Sequence, residues 1–150
     1  MRIQDFLNPS AVRVSLAAES KDAALDELVD LLGLDERASA TIGRILRRRE
    51  QLGSTGVGRG IAIPHGRTLA VSRLRLAFGN HEAGLDFQAV DQRPVHAIFL
   101  IVAPPVEVSN QYLPLLGRIA QFAREPDVPE RLRRITSTEE LFQLLNEKDV

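Results

Sequence analysis

Glycine, proline and histidine crowd into one stretch of this 150-residue chain, Gly53–Arg67, which reads GSTGVGRGIAIPHGR. Four of the ten glycines fall between Gly53 and Gly60. Glycine tolerates positive φ and close approach, so such a loop can turn backbone N–H groups inward around an anion. The apolar run Ile61–Ile63 follows, then Pro64, His65 and Gly66 in succession. Pro64 fixes its own φ and holds Ile63 extended, which places His65 where a strand stops. Gly66 is expected to keep bulk away from the imidazole. An imidazole is an uncharged nucleophile near neutral pH, and a hydrogen bond can fix its second nitrogen. The stretch therefore promises a nucleophilic histidine at a strand end beside an anion cradle.

The elements on either side must hold that pair in place. Asp35 is a plausible N-cap for a helix running to about Leu52, with Gly53 as its stop. Its apolar stripe is Ala38, Ile42, Ile45 and Leu46, and the next place on it is Arg49. Arg44, Arg47 and Arg48 read as a solvated face. Arg49 points with the buried face, and a half-buried guanidinium needs an anionic partner. Upstream, Asn8-Pro9-Ser10 reads as a turn and Ala11–Leu16 alternates as a strand. A helix then spaces Leu25, Leu28, Val29 and Leu32 between a Ser20 cap and Gly33.

Downstream, Arg73–Phe78 alternates as a strand, and Gly79–Gln92 reads as loop with Leu85 and Phe87 briefly extended. Val95–Val102 is almost wholly apolar, the pattern of a central strand buried on both faces. Asn110–Arg124 is expected to be a helix with Leu113, Leu116, Ile119 and Ala120 inside and Pro114 in its first turn. Pro126 and Pro129 interrupt the chain before a short helix through Leu132 and Ile135. A capping box, Ser137–Glu140, opens a last helix that buries Leu141, Leu144 and Leu145. Strands separated by helices imply a single α/β domain over residues 1–150, a mixed β-sheet sandwiched by helices on both faces.

The phrase GSTGVGRGIAIPHG resembles the active-site signature of the enzyme IIA domains of the bacterial phosphotransferase system. The resemblance is to the fructose/mannitol type, and within it to the nitrogen-regulatory branch. AVDQRPVHAIFLIVAP and YLPLLGRIA are similar to later segments of that family, so the likeness runs over nearly the whole chain. It implies that His65 accepts a phosphoryl group from a phosphohistidine on an HPr-type carrier, and that Arg49 stabilises the charge. Backbone N–H groups around Ser54, Thr55 and Gly56 become candidate phosphoryl donors, helped by the hydroxyls. Family members commonly carry a second histidine where this chain has Tyr112, followed by Leu113. Tyrosine can donate a hydrogen bond there but carries no positive charge near neutral pH. The function implied is that of a phosphohistidine carrier in a nitrogen-branch regulatory system, handing on to a downstream regulatory or transporter protein. Two alternatives stand beside it: a docking module that is weakly phosphorylated or not at all, and the IIA component of a fructose/mannitol-type transporter.

Composition narrows the field further. At 44% hydrophobic and 26% charged the chain has ordinary globular make-up. A formal net charge of −1 argues against nucleic-acid or membrane-surface binding as the main role. The absence of cysteine excludes disulfides and thiol catalysis. No apolar run reaches spanning length, and no leader pattern is present, so a cytoplasmic protein is expected. Three histidines about fifteen residues apart do not make a metal site, and no cofactor is called for. His96 reads as a satisfied core or sheet histidine and His81 as a loop residue. Gly53 and Gly58 have the spacing of a Walker loop, but Arg59-Gly60 stand where Lys and Ser/Thr are required. Arg131, Arg133 and Arg134 read as a solvated face.

Overall fold

The computed structural model describes residues 1–150 as one mixed sheet of six strands with five α-helices. The strands are β1 (Leu7–Arg13), β2 (Gly56–Gly58), β3 (Ile61–Ala62), β4 (His65–Arg67), β5 (Arg75–Leu85) and β6 (Val95–Ala103). The helices are α1 (Lys21–Asp30), α2 (Glu36–Leu52), α3 (Tyr112–Ala123), α4 (Val128–Arg134) and α5 (Thr138–Glu147). A single 3-10 turn, Ile3–Asp5, precedes β1. Sheet order is β1-β5-β6-β3-β2, with β4 also paired to β6.

All nine residues of β6 are buried, as its unbroken apolar run requires of a strand covered on both faces. Successive side chains supply opposite layers. Phe99 and Ile101 join Phe78 and Ile61 in the core beneath α3, α4 and α5. Ile98, Leu100 and Val102 join Ala62 and Ala77 beneath α1 and α2. Helices thus cover both faces, as expected. The N-caps read from sequence are in place: the side chains of Ser20, Asp35 and Ser137 accept from the backbone N–H of Ala23, Ala38 and Glu140. The expected capping box is not closed, because the Glu140 carboxylate accepts from the Thr136 N–H and hydroxyl and not from Ser137.

Two strand boundaries and one helix face differ from expectation. Strand β1 starts at Leu7, and its register slips between Leu7 and Val12. Asn8-Pro9-Ser10 is therefore a bulge inside the strand: the Ser10 N–H and hydroxyl both donate to Asn8 Oδ1, at 2.9 and 2.8 Å. Strand β5 runs on to Leu85, through residues expected to be loop. Its polar end carries no apolar alternation, but Asn80 still pairs with Ala97 and Leu85 with Val95 across a bulge. In α3 the buried stripe is Tyr112, Leu115, Ile119, Phe122 and Ala123. Leu113 is 65% exposed, and Leu116 and Ala120 are only partly buried. The stripe is rotated by one residue because the Tyr112 ring is itself core.

Candidate functional site

Strands β3 and β4 form one line beside β6, interrupted at Ile63-Pro64. The register is the same before and after the break: Ile61 lies opposite Ala97 and His65 opposite Ile101. Pro64 lacks an N–H, yet its carbonyl accepts from the Ile101 N–H at 2.9 Å, so the ladder carries through. His65 accordingly opens a resumed strand; it does not sit at a strand's end. The period of two then decides who shares its side. His65 and Arg67 face α3, while Gly66 faces α2. A Cβ on Gly66 would stand 3.0 Å from Ile45 Cγ2. That glycine makes room for helix α2, which corrects its expected role beside the imidazole.

The His65 ring is half-buried, and its Nδ1 lies 2.7 Å from the carbonyl oxygen of Ile63. A carbonyl oxygen only accepts, so Nδ1 carries the hydrogen and the neutral ring keeps a lone pair on Nε2. Tyr112 stands across from it, with ring centroids 6.0 Å apart and planes tilted by 56°. The Arg67 guanidinium lies over the Tyr112 ring, its Cζ 4.4 Å from the centroid. Arg67 Nη1 also donates to the carbonyl of Pro104 at 3.0 Å, with that of Ser109 at 3.5 Å. Burial pushes the Tyr112 hydroxyl above its ordinary pKa, against the opposing charges of Arg67 and Arg49. The phenol therefore stays protonated as a donor, within the field of two guanidinium groups. Arg67 was missing from the sequence-based site, although its place two residues after His65 on a strand was the available signal.

Arg49 is half-buried at the end of α2, where its Nη1 donates to the carbonyl of Gly53 at 2.7 Å. The buried stripe of α2 is Ile42, Gly43, Leu46 and Glu50. Glu50, one turn beyond Leu46, takes the place expected for Arg49. Its carboxylate accepts from the Thr55 N–H with both oxygens at 3.1 Å, and from the Thr55 hydroxyl. Lys21 Nζ completes the cluster, 3.0 Å from Glu50 Oε1 and donating to the Phe87 carbonyl at 3.1 Å. A carboxylate 7% exposed is tolerable in the core only with such partners.

Nor is the glycine-rich segment an open cradle; it is a β-hairpin. Gly56 and Gly58 pair antiparallel with Ala62 and Ile61 across a two-residue turn, Arg59-Gly60, both at positive φ. The Thr55 donors go to Glu50. The Ser54 hydroxyl donates to the Phe87 carbonyl and accepts the Gly56 N–H at 3.0 Å. Of the three expected phosphoryl donors, Thr55 and Gly56 thus have their N–H groups satisfied inside the chain. The Ser54 N–H has no such partner.

The other two histidines are structural. His81 accepts from the Gly84 N–H at Nδ1, 3.0 Å, and so donates from Nε2 to the Ala18 carbonyl at 2.7 Å. His96 donates from Nδ1 to the His81 carbonyl at 2.9 Å.

Comparison with known proteins places the chain as a whole in a family. Residues 5–148 match the model described as "Phosphoenolpyruvate-dependent sugar phosphotransferase system, EIIA 2". The chain belongs to that family. It is 34% identical over 149 residues to a nitrogen regulatory protein of Bradyrhizobium diazoefficiens, covering 97% of this chain and 95% of that one. Among solved structures it resembles the nitrogen regulatory protein IIA-Ntr of Neisseria meningitidis, with TM-score 0.85 and 31% identity over 95% of this chain and 98% of that one. The Escherichia coli enzyme IIAMTL, solved in complex with phosphorylated enzyme IIBMTL, shares the fold at TM-score 0.75 and 21% identity, over 93% of this chain and 96% of that one. No helix is long and apolar enough to cross a membrane.

Proposed function

We infer that the chain is a phosphohistidine carrier of the phosphotransferase system, working in the cytoplasm in its nitrogen-regulatory branch. His65 Nε2 takes a phosphoryl group from a phosphohistidine on an HPr-type carrier and yields it to a downstream regulatory or transporter protein. The observation that carries this reading is a partly exposed His65 ring beside Tyr112 and Arg67, whose Nδ1 contact to the Ile63 carbonyl leaves Nε2 as the nucleophile. In the step, the Nε2 lone pair forms a P–N bond in line as the donor's P–N bond breaks. The donor ring departs as neutral imidazole, its bonding pair returning to its nitrogen. The His65 ring becomes positive, and Ile63 holds the Nδ1–H that shares this charge.

Transfer of this kind asks the protein for alignment and for positive or N–H groups around the moving oxygens. Arg67 and the Tyr112 hydroxyl stand beside His65 to supply them, with Arg49 adding charge and the Ser54 N–H adding a donor. Thr55 and Gly56 act indirectly, by fixing the hairpin through Glu50 and Ser54. A protein donor needs a surface to dock on. Leu52, Leu69, Val106, Val108 and Leu113 are all more than half exposed and lie on the segments next to Arg49, Arg67 and Tyr112. Exposed apolar side chains on segments that also carry Arg49 and Arg67 suit a macromolecular partner.

Intact-mass measurement tests the reading, after incubation with phosphoenolpyruvate, enzyme I and the HPr-type carrier at neutral or alkaline pH. A gain of one phosphoryl group, absent in His65→Ala, is expected. No gain, with the carrier itself phosphorylated, favours the docking module, and Tyr112→His becomes the variant to try next.

A further inference from the structure

We propose that a cavity distinct from the His65 centre binds a small oxyanion-bearing metabolite, held by Arg73 and Arg75. The cavity, about 420 Å³, lies between the bulge of β1, the end of α1 and the start of β5. That volume suits a metabolite-sized ligand. Its ionisable lining is Arg73, Arg75 and Asp5, with Asn8, Ser10 and Gln111 as neutral polar groups.

Arg75 is the anomaly. Its Nε is buried without a hydrogen-bond partner, and neither it nor Arg73 forms an ion pair. A guanidinium presents five donors in a planar fork, and leaving a buried one unmet is destabilising. Burial and then the like charge of Arg73 both hold Arg75 below its ordinary pKa, so two cations share this wall without a counter-ion. The one carboxylate nearby does not answer them: Asp5 accepts from the Arg2 N–H at 2.8 Å and pairs with Arg2 Nε at 3.7 Å. Asn8 is poised similarly. Its oxygen is occupied by Ser10, which leaves its NH2 as a free donor. Paired arginines beside an amide donor recognise a planar or tetrahedral oxyanion, carboxylate or phosphate. The site does not depend on the carrier reading of His65, although Gln111 in its wall immediately precedes Tyr112.

A structural arginine and a ligand-binding one respond oppositely to substitution, and the test uses that. The full chain is titrated calorimetrically at constant ionic strength with inorganic phosphate, glycerol 3-phosphate or succinate, and thermal melts are run with each. Saturable binding of at least one probe is expected, with Kd on the order of 1 mM or tighter and a concentration-dependent rise in melting temperature. Arg75→Met and the exposed Arg73→Gln should each weaken it at least tenfold. Without probe, Arg75→Met should melt at or above the parent, since the orphaned donor is gone. Binding of the two phosphates alone assigns a phosphorylated ligand; binding of succinate alone assigns a carboxylate. The proposal is overturned if no probe saturates, if binding survives both substitutions, or if Arg75→Met melts well below the parent.

Discussion

His65 and His96 are held in the same way and have opposite fates. Each lies on or beside β6, and each donates from Nδ1 to a backbone carbonyl, Ile63 at 2.7 Å and His81 at 2.9 Å. Each therefore keeps its lone pair on Nε2. His96, however, is 8% exposed, and a Cβ on Gly84 (φ +86°) would come within 3.0 Å of its Nε2 and nearer still to Cε1. Little of its ring reaches the surface. His65 is half-exposed and stands beside Tyr112, with Arg67 stacked on that ring. On the proposed reading, a fixed tautomer alone does not make a nucleophile; the ring must also be reachable by the donor.

The sharpest way to break the contrast is to remove each ring. His65→Ala should abolish phosphoryl labelling and leave the fold intact by circular dichroism. His96→Ala should keep labelling but lose about 1–3 kcal/mol of stability in urea, through the missing hydrogen bond and the void. Loss of labelling in folded His96→Ala would sink the distinction.

The positive surround comes next. In single-turnover transfer, Arg67→Ala should slow the step about 100-fold. Arg67→Lys should recover only part of this, because ammonium cannot reproduce the stacked, forked geometry. Arg49→Ala should slow it about tenfold. The smaller effect is expected because Arg49 already gives one donor to Gly53. A larger loss at Arg49 than at Arg67 would reverse their ranks.

Tyr112→Phe keeps the ring under Arg67 and removes only the hydroxyl, so a slowing of up to tenfold is expected. It carries a pH signature as well. The folded-state pKa of Tyr112 is raised above 10.0, so folding favours the protonated phenol. That contribution is fully present below the unfolded pKa and is lost as pH rises through the folded one. Urea midpoints of the parent should therefore fall above about pH 10, and those of Tyr112→Phe should fall less. Identical alkaline profiles would show that the hydroxyl is not desolvated.

Away from the chemistry, Glu50→Gln should cost about 1–3 kcal/mol by weakening the bonds to Lys21 and Thr55. Transfer should slow less than in Arg67→Ala, since only the hairpin's position is disturbed.

Much of this was legible in the residues. Helix caps at Ser20, Asp35 and Ser137 are local chemistry, and β6 betrays itself by a run whose only polar side chain is His96. The motif around Pro64 likewise located His65. What could not be read depended on contacts distant in sequence. Strand β5 continues past Phe78 because β6 is there to pair with Asn80, although Gly79–Gly84 has no apolar pattern. Arg49 and Glu50 are adjacent polar residues at a helix end, and only Lys21 and Thr55, brought in from elsewhere, make the carboxylate the buried one. The glycines of the loop fit a cradle or a hairpin equally well by themselves; pairing with β3 selects the hairpin.

The unbroken register across Pro64 has an evolutionary corollary. Because β3 and β4 are tied to β6 at one offset, the segment Ala62–His65 is fixed in length more strictly than in composition. A deletion or insertion of a single residue there would rotate the rest of β4 by half a turn. The histidine would then face helix α2 and the glycine would face the tyrosine. Lineages of this fold should therefore vary freely in the Arg59-side turn and in the loop after β6, yet record almost no length changes between Ala62 and His65.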